Sequence, residues 1–152
     1  MEINNKIIKL LNYLREKTPL VHQITNNVTI NDCANITLAI GGSPVMAEDI
    51  HEVREMVSLA SSLVLNIGIL TTGSIEAMIA AGKKANELNI PVILDPVGVG
   101  ATSYRNESCK KIMSEVKLAV IRGNLSEIKS IYGIDTVTRG VEDRKSTRLN
   151  SS

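Results

Sequence analysis

Leu63-Val64-Leu65-Asn66-Ile67, then Ile75, Met78, Ile79, Gly82 and Ala85 at helical spacing, then Pro91-Val92-Ile93-Leu94, decide the fold of this chain. The two apolar runs are short and lack polar alternation, which reads as strands covered on both faces. The set between them marks one face of a helix. The rhythm continues C-terminally with Cys109, Ile112, Met113 and Val116 on a helix face. Leu118-Ala119-Val120-Ile121 follows as a strand, and 124–132 as a helix stopped by Gly133. It extends N-terminally as well. Ile3, Ile7, Leu10, Leu11 and Leu14 mark a helix ended by Pro19, and Leu20 to Ile24 is a strand stopped by Thr25-Asn26-Asn27. A helix over 30–40 is closed by Gly41-Gly42 and a brief strand covers 43–46. The next helix carries Val53, Met56, Val57 and Ala60 on one face, with Asp49 as its cap. Repeated βα units predict an α/β fold with a parallel sheet.

Composition narrows the function. The 152 residues carry 17 Lys+Arg against 16 Asp+Glu, are 43% hydrophobic, and include three Tyr but no Phe or Trp. A near-neutral chain without stacking side chains argues against nucleic-acid binding. Two cysteines, Cys33 and Cys109, make neither a disulfide framework nor a four-ligand zinc site; both fall on helix inner faces and suit a reducing cytosol. The N-terminus alternates charges and is no signal peptide. The uncharged stretch from Met56 to Ile75 is interrupted by Ser58, Ser61, Ser62, Asn66, Gly68, Thr71, Thr72, Gly73 and Ser74, too polar to span a bilayer. A cytoplasmic location is expected. Residues 144–152 hold one apolar residue, Leu149, and read as a disordered tail of foreign, artefactual appearance after an incomplete domain over 1–143.

In open parallel sheets, ligands bind beyond the carboxyl ends of the strands. Those ends are polar here: Asn66 and Gly68 after one strand, then Asp95-Pro96-Val97-Gly98-Val99-Gly100-Ala101-Thr102 after the next. Arg122-Gly123-Asn124 follows the third, with Glu127 one turn later. Two carboxylates, a glycine-rich loop and an arginine on one rim suit a magnesium-bound polyphosphate, which needs anionic ligands for the metal and cationic or N–H donors for phosphate oxygens. Each element also has a structural explanation. Asp95-Pro96 can end a strand, Arg122 can be a surface ion pair, and Glu127 at N3 after Asn124 can close a capping box. Gly68-Ile69-Leu70-Thr71-Thr72-Gly73-Ser74 lacks the lysine of a P-loop, and Gly98-Val99-Gly100-Ala101-Thr102-Ser103 lacks the third glycine of a dinucleotide fingerprint. His22 and His51 have no metal-ligand spacing and read as structural. Met46 fits either a core or a small apolar pocket.

Pro19-Leu20-Val21-His22-Gln23-Ile24-Thr25-Asn26-Asn27-Val28, Gly42-Ser43-Pro44-Val45-Met46, Leu65-Asn66-Ile67-Gly68, the loop from Asp95 to Thr102 and Ile121-Arg122-Gly123-Asn124 occur in this order. Together they closely resemble the hydroxyethylthiazole kinases of thiamine salvage, over roughly residues 1–143. The resemblance implies a ribokinase-like layered α/β/α fold with a mostly parallel sheet, truncated here. It also implies a homotrimer for the full-length protein and ATP-dependent phosphorylation of 4-methyl-5-(2-hydroxyethyl)thiazole. By motif, Met46, Asn26 and Gly68 are implied substrate contacts, Arg122 an ATP phosphate contact, and Asp95 and Glu127 the Mg2+ carboxylates. The family's catalytic cysteine and second ATP loop lie in a further stretch of about a hundred residues. Neither Cys33 nor Cys109 inherits that role, so the fragment is expected to be inactive and, with an open sheet edge, poorly soluble. A kinase of another small alcohol such as a hydroxymethylpyrimidine, and a non-catalytic thiazole- or nucleotide-binding module, are the alternative readings.

Overall fold

Among the described residues, five strands pair in parallel in the order β2-β1-β3-β4-β5. The computed structural model describes residues 2–133. The expected boundary at 143 and the tail over 144–152 lie outside them. The elements run α1 (Glu2–Lys17), β1 (Leu20–Ile24), α2 (Ile30–Ile40), β2 (Ser43–Val45), α3 (Val53–Ser58), β3 (Ser62–Asn66), α4 (Thr72–Glu87), β4 (Val92–Asp95), α5 (Ser103–Glu115), β5 (Val120–Ile121) and α6 (Leu125–Ile131). The α/β expectation holds, with every anticipated strand and helix in place.

The core forms where α4 packs against α3 and α5 on its flanks and against β3 and β4. Leu63, Leu65 and Leu94 are fully buried, as are Val53 and Val57 of α3 and Ile112 of α5. Each such side chain contributes roughly 1.5–3 kcal/mol by leaving water. The opposite sheet face is less covered than the apolar runs suggest. Val64 and Ile93, pointing away from the core, are only half-buried. On α1, Ile3, Ile7 and Leu10 lie exposed, and on α2 Ile36 and Leu38 do too. Apolar strand runs therefore overstate coverage among the described residues.

Local chemistry sets the helix ends. Gly41 closes α2 in the left-handed conformation at φ 104°. Thr71 and Ser74 form a reciprocal capping box at the start of α4, and Asn124 and Glu127 form the one expected at α6. Asp49 does not cap α3. Its carboxylate instead accepts the His51 N–H at 2.8 Å, heading a turn that delays the helix to Val53.

Helix α4 approaches the end of α5 closely because residue 82 has no side chain. A Cβ built on Gly82 would stand 2.6 and 2.7 Å from the two methyls of Val116. Gly82→Ala gains up to about 1 kcal/mol of helix propensity but overpacks this contact at a cost of roughly 1–3 kcal/mol. Urea unfolding is expected to show net destabilisation. Adding Val116→Ala, which makes room for the new methyl, is expected to recover part of it; a Gly82→Ala chain as stable as wild type would contradict this packing.

Candidate functional site

The site grows from strand register. Ile24 pairs with Leu65, Leu94 with Leu65 and with Ile121, so β1, β3, β4 and β5 end level with one another. Asn66 then stands opposite Asp95, and the Arg122 N–H reaches back to the Leu94 carbonyl at 2.9 Å. A polar row thereby forms along the carboxyl rim, at and beside the β1/β3 point where strand order reverses. Such a switch point is where ligands settle in open α/β sheets.

Hydrogen bonds join this row end to end. Asn26 Nδ2 donates to Asn66 Oδ1 at 3.1 Å, Asn66 Nδ2 to Asp95 Oδ2 at 2.9 Å, and Arg122 Nη1 to the same Asp95 oxygen at 3.0 Å. Asp95 Oδ1 accepts nothing from the described residues. The Asp95 side chain is 16% exposed and that of Arg122 is 77% exposed. Water screens this ion pair, and it contributes little to stability. Burial pushes the Asp95 carboxyl above its ordinary value, while Arg122 and the Asn66 amide pull it back and the Glu127 charge pushes it further up.

Asp95, Val97, Arg122, Gly123, Asn124 and Glu127 line one cleft of 340 Å³. The two acidic groups and the cation expected to share a site therefore do share one. Glu127 is buried, and both of its oxygens are engaged: Oε1 accepts the Gly98 N–H at 2.9 Å and Oε2 the Asn124 N–H at 2.8 Å. The capping role is present, and the same carboxylate also anchors the glycine-rich loop. Among the described residues no group of three or more His, Cys, Asp or Glu is placed to cage a metal.

Asn26 and Met46 line a second cavity of 510 Å³ with Ile24, Ile69 and the Thr71 end of α4. Gly68, the third expected substrate contact, lines neither cavity but packs against the Asn26 and Asn66 side chains. A Cβ there would come within 2.8 Å of both Asn26 Nδ2 and Asn66 Oδ1, so the close approach requires glycine. A further cavity of 550 Å³, bordered by Cys109, Met113, Ile131 and Gly133, gathers none of the expected site residues. Cys109 is buried and its thiol is pushed up to about 11, a poor nucleophile; Cys33 is half-buried. His22 is buried with Nε2 2.7 Å from the Ala47 carbonyl and steadies the stretch after β2 that carries Met46; His51 is exposed.

Two participants carried no assigned role in the sequence. Asn66 is visible there as a polar strand end, but its bridging position emerges only from register. Arg105 gave no signal. Its Nη1 donates to the carbonyls of Ile67 and Val97 at 2.6 and 2.8 Å and its Nη2 to that of Gly68 at 2.8 Å, tying the loops after β3 and β4 together.

Glu127→Gln replaces one acceptor oxygen by an NH2 group facing an N–H. With a chelator present, urea unfolding is expected to show a loss of roughly 1–3 kcal/mol. Unchanged stability without metal, and a loss only with it, would contradict the anchoring role.

Comparison with known proteins places the chain in a family. The hydroxyethylthiazole kinase family matches residues 11–151. A hydroxyethylthiazole kinase of Alkaliphilus oremlandii is 65% identical over 142 residues, which are 93% of this chain and 52% of that protein. The Clostridium tetani enzyme is 60% identical over the same shares. A solved hydroxyethylthiazole kinase structure from Pyrococcus horikoshii superposes with a TM-score of 0.82 at 46% identity, covering 85% of this chain and 50% of that one. A receiver domain from Pseudomonas aeruginosa, at 11% identity and a TM-score of 0.51, shares the fold alone. The chain spans about half the length of the curated relatives it matches. Motif order and sheet agree with these matches: the chain belongs to the hydroxyethylthiazole kinase family.

Proposed function

We propose that this segment supplies the alcohol pocket and part of the metal–nucleotide cleft of an enzyme that phosphorylates the hydroxyl of 4-methyl-5-(2-hydroxyethyl)thiazole with ATP, in thiamine salvage. The observation that carries the reading is the gathering of Asp95, Arg122 and Glu127 around one cleft. Asn66 links Asp95 of that cleft by hydrogen bonds to Asn26, which lines a cavity with Met46, in a chain of this family. Met46 offers a soft apolar wall to the thiazole ring, Asn26 a polar edge, and Gly68 the room between. Arg122, largely exposed, is free to turn its guanidinium onto a phosphate oxygen.

Mg2+ fits the donor set in one particular way. It keeps several waters and takes one or two carboxylates alongside substrate phosphates, so a full protein cage is not needed. Asp95 Oδ1 is the open oxygen, and Glu127 would act through water while holding the Gly98 loop. When bound, the ion supplies neutralisation of phosphate charge. Asp95 is held desolvated beside it, Asn66 fixes its orientation, and Arg122 adds the positive charge that phosphoryl transfer requires. Turnover needs the remaining length found in the relatives, in which the resemblance places the cysteine and the second ATP loop. A cytoplasmic homotrimer is the assembly this reading carries, with the exposed apolar residues of α1 and α2 as candidate contact surface. No helix among the described residues is long and apolar enough to cross a membrane.

The test compares this chain with a chimera extended by the C-terminal half of the A. oremlandii relative. Each receives Mg-ATP with the thiazole alcohol or with hydroxymethylpyrimidine. Mass spectrometry is expected to find thiazole phosphate from the chimera and none from the chain alone. Asp95→Asn in the chimera is expected to lower turnover by about 10- to 100-fold or more. A chimera that phosphorylates only the pyrimidine, or an Asp95→Asn form at full rate, would overturn the reading.

A further inference from the structure

We propose that Asn66 is a positioning residue that couples the alcohol pocket to the nucleotide cleft, through a one-directional hydrogen-bond chain from Asn26 to Asp95. This rests on the reading of the Asp95 cleft as the nucleotide side. The amide of Asn66 cannot turn over. Its Oδ1 faces two donors, Asn26 Nδ2 at 3.1 Å and the Gly68 N–H at 2.8 Å, and a backbone N–H can only donate. Its Nδ2 faces the Asp95 carboxylate at 2.9 Å, which when ionised can only accept. Both ends thus demand the same orientation.

Asn26 is oriented just as firmly. Its Oδ1 accepts the N–H groups of Val28 and Thr29 at 3.1 and 3.2 Å and the Thr29 hydroxyl at 3.2 Å, leaving Nδ2 for Asn66. Every donor from Asn26 onward points toward Asp95, where Arg122 meets the chain from the other side. Hydrogen bonds aligned in series polarise one another, so a change at one end alters the strength of the next. Asn26 lines the 510 Å³ cavity and Asp95 the 340 Å³ cleft. Among the described residues, Asn66 hydrogen-bonds both side chains while belonging to neither lining. A group ordered against Asn26 therefore biases how firmly Asp95 is held, and by linkage the reverse is true.

Two measurements test this, the first on the 152-residue chain and the second on the chimera extended by the C-terminal half of the A. oremlandii relative. In the first, no ligand is added. Arg122→Ala is expected to shift the NMR signals of the Asn26 side-chain amide, and the shift is expected to vanish in an Asn66→Ser background. Asn66→Asp preserves shape and the two bonds to Oδ1 but sets oxygen against oxygen at Asp95; it too is expected to abolish the shift, guarding against a misfolded serine variant. In the second, magnesium with a non-hydrolysable ATP analogue is titrated. Asn26→Ala is expected to weaken binding about 3- to 10-fold although Asn26 is outside the cleft, and to have no added effect once Asn66 is serine. An Asn26 signal blind to Arg122→Ala, or effects of Asn26→Ala and Asn66→Ser that simply multiply, would overturn the coupling. The expected shifts together with a chimera that binds no nucleotide would instead sink the functional reading and leave the coupling standing.

Discussion

The level ending of four parallel strands is the constraint on which the rest of this structure depends. Ile24, Leu65, Leu94 and Ile121 form one cross-sheet row, so the residues that follow them are forced into a second row at the rim. Asn66 and Asp95 are opposed by that register alone. A slip of one residue between β3 and β4 would exchange their faces and expose Leu65 or Leu94, both fully buried. The apolar core thus sets the position of the polar site: burying the leucines and presenting the asparagine–aspartate pair are a single structural choice.

The rim is built for binding more than for stability. Asp95 is taken largely out of water, which raises the energy of its charged form, and its cationic neighbour is too exposed to offset that fully. A carboxylate held in this condition gains from an added cation. By contrast Glu127 and Arg105 are spent on architecture. The first fastens the loop after β4 to the start of α6, and the second fastens it to the loop after β3. The loop carrying Gly98 is therefore held from two sides while Asp95 Oδ1 stays open.

How much of this could be read in the sequence follows from how each interaction is encoded. Strands, helices and the Asn124–Glu127 box are local, and their spacing announces them. The shared placement of Asp95, Arg122 and Glu127 was legible because the first two sit at strand ends and the third in the helical turn that follows one, and parallel topology brings such ends together. The delay of α3 to Val53 was not, because Asp49 suits a cap and a turn equally well. Arg105 was invisible: its three partners are backbone carbonyls, which leave no trace in residue identity. Asn66 could be seen as polar in an apolar run, but its donor and acceptor directions exist only once β1, β3 and β4 are side by side. Coverage of the second sheet face was misjudged because an apolar run records a preference for burial, not the presence of a partner.

Paramagnetic relaxation by Mn2+ offered together with ATP tests the placement of the metal–nucleotide cleft most directly. The account predicts that low concentrations broaden backbone NMR signals around Asp95, Gly98 and 122–127 first, leaving Cys109, Met113 and the α1 surface sharp. Broadening centred on the cavity beside Cys109 and Met113, or scattered over surface carboxylates with the Asp95 cleft unaffected, would contradict it.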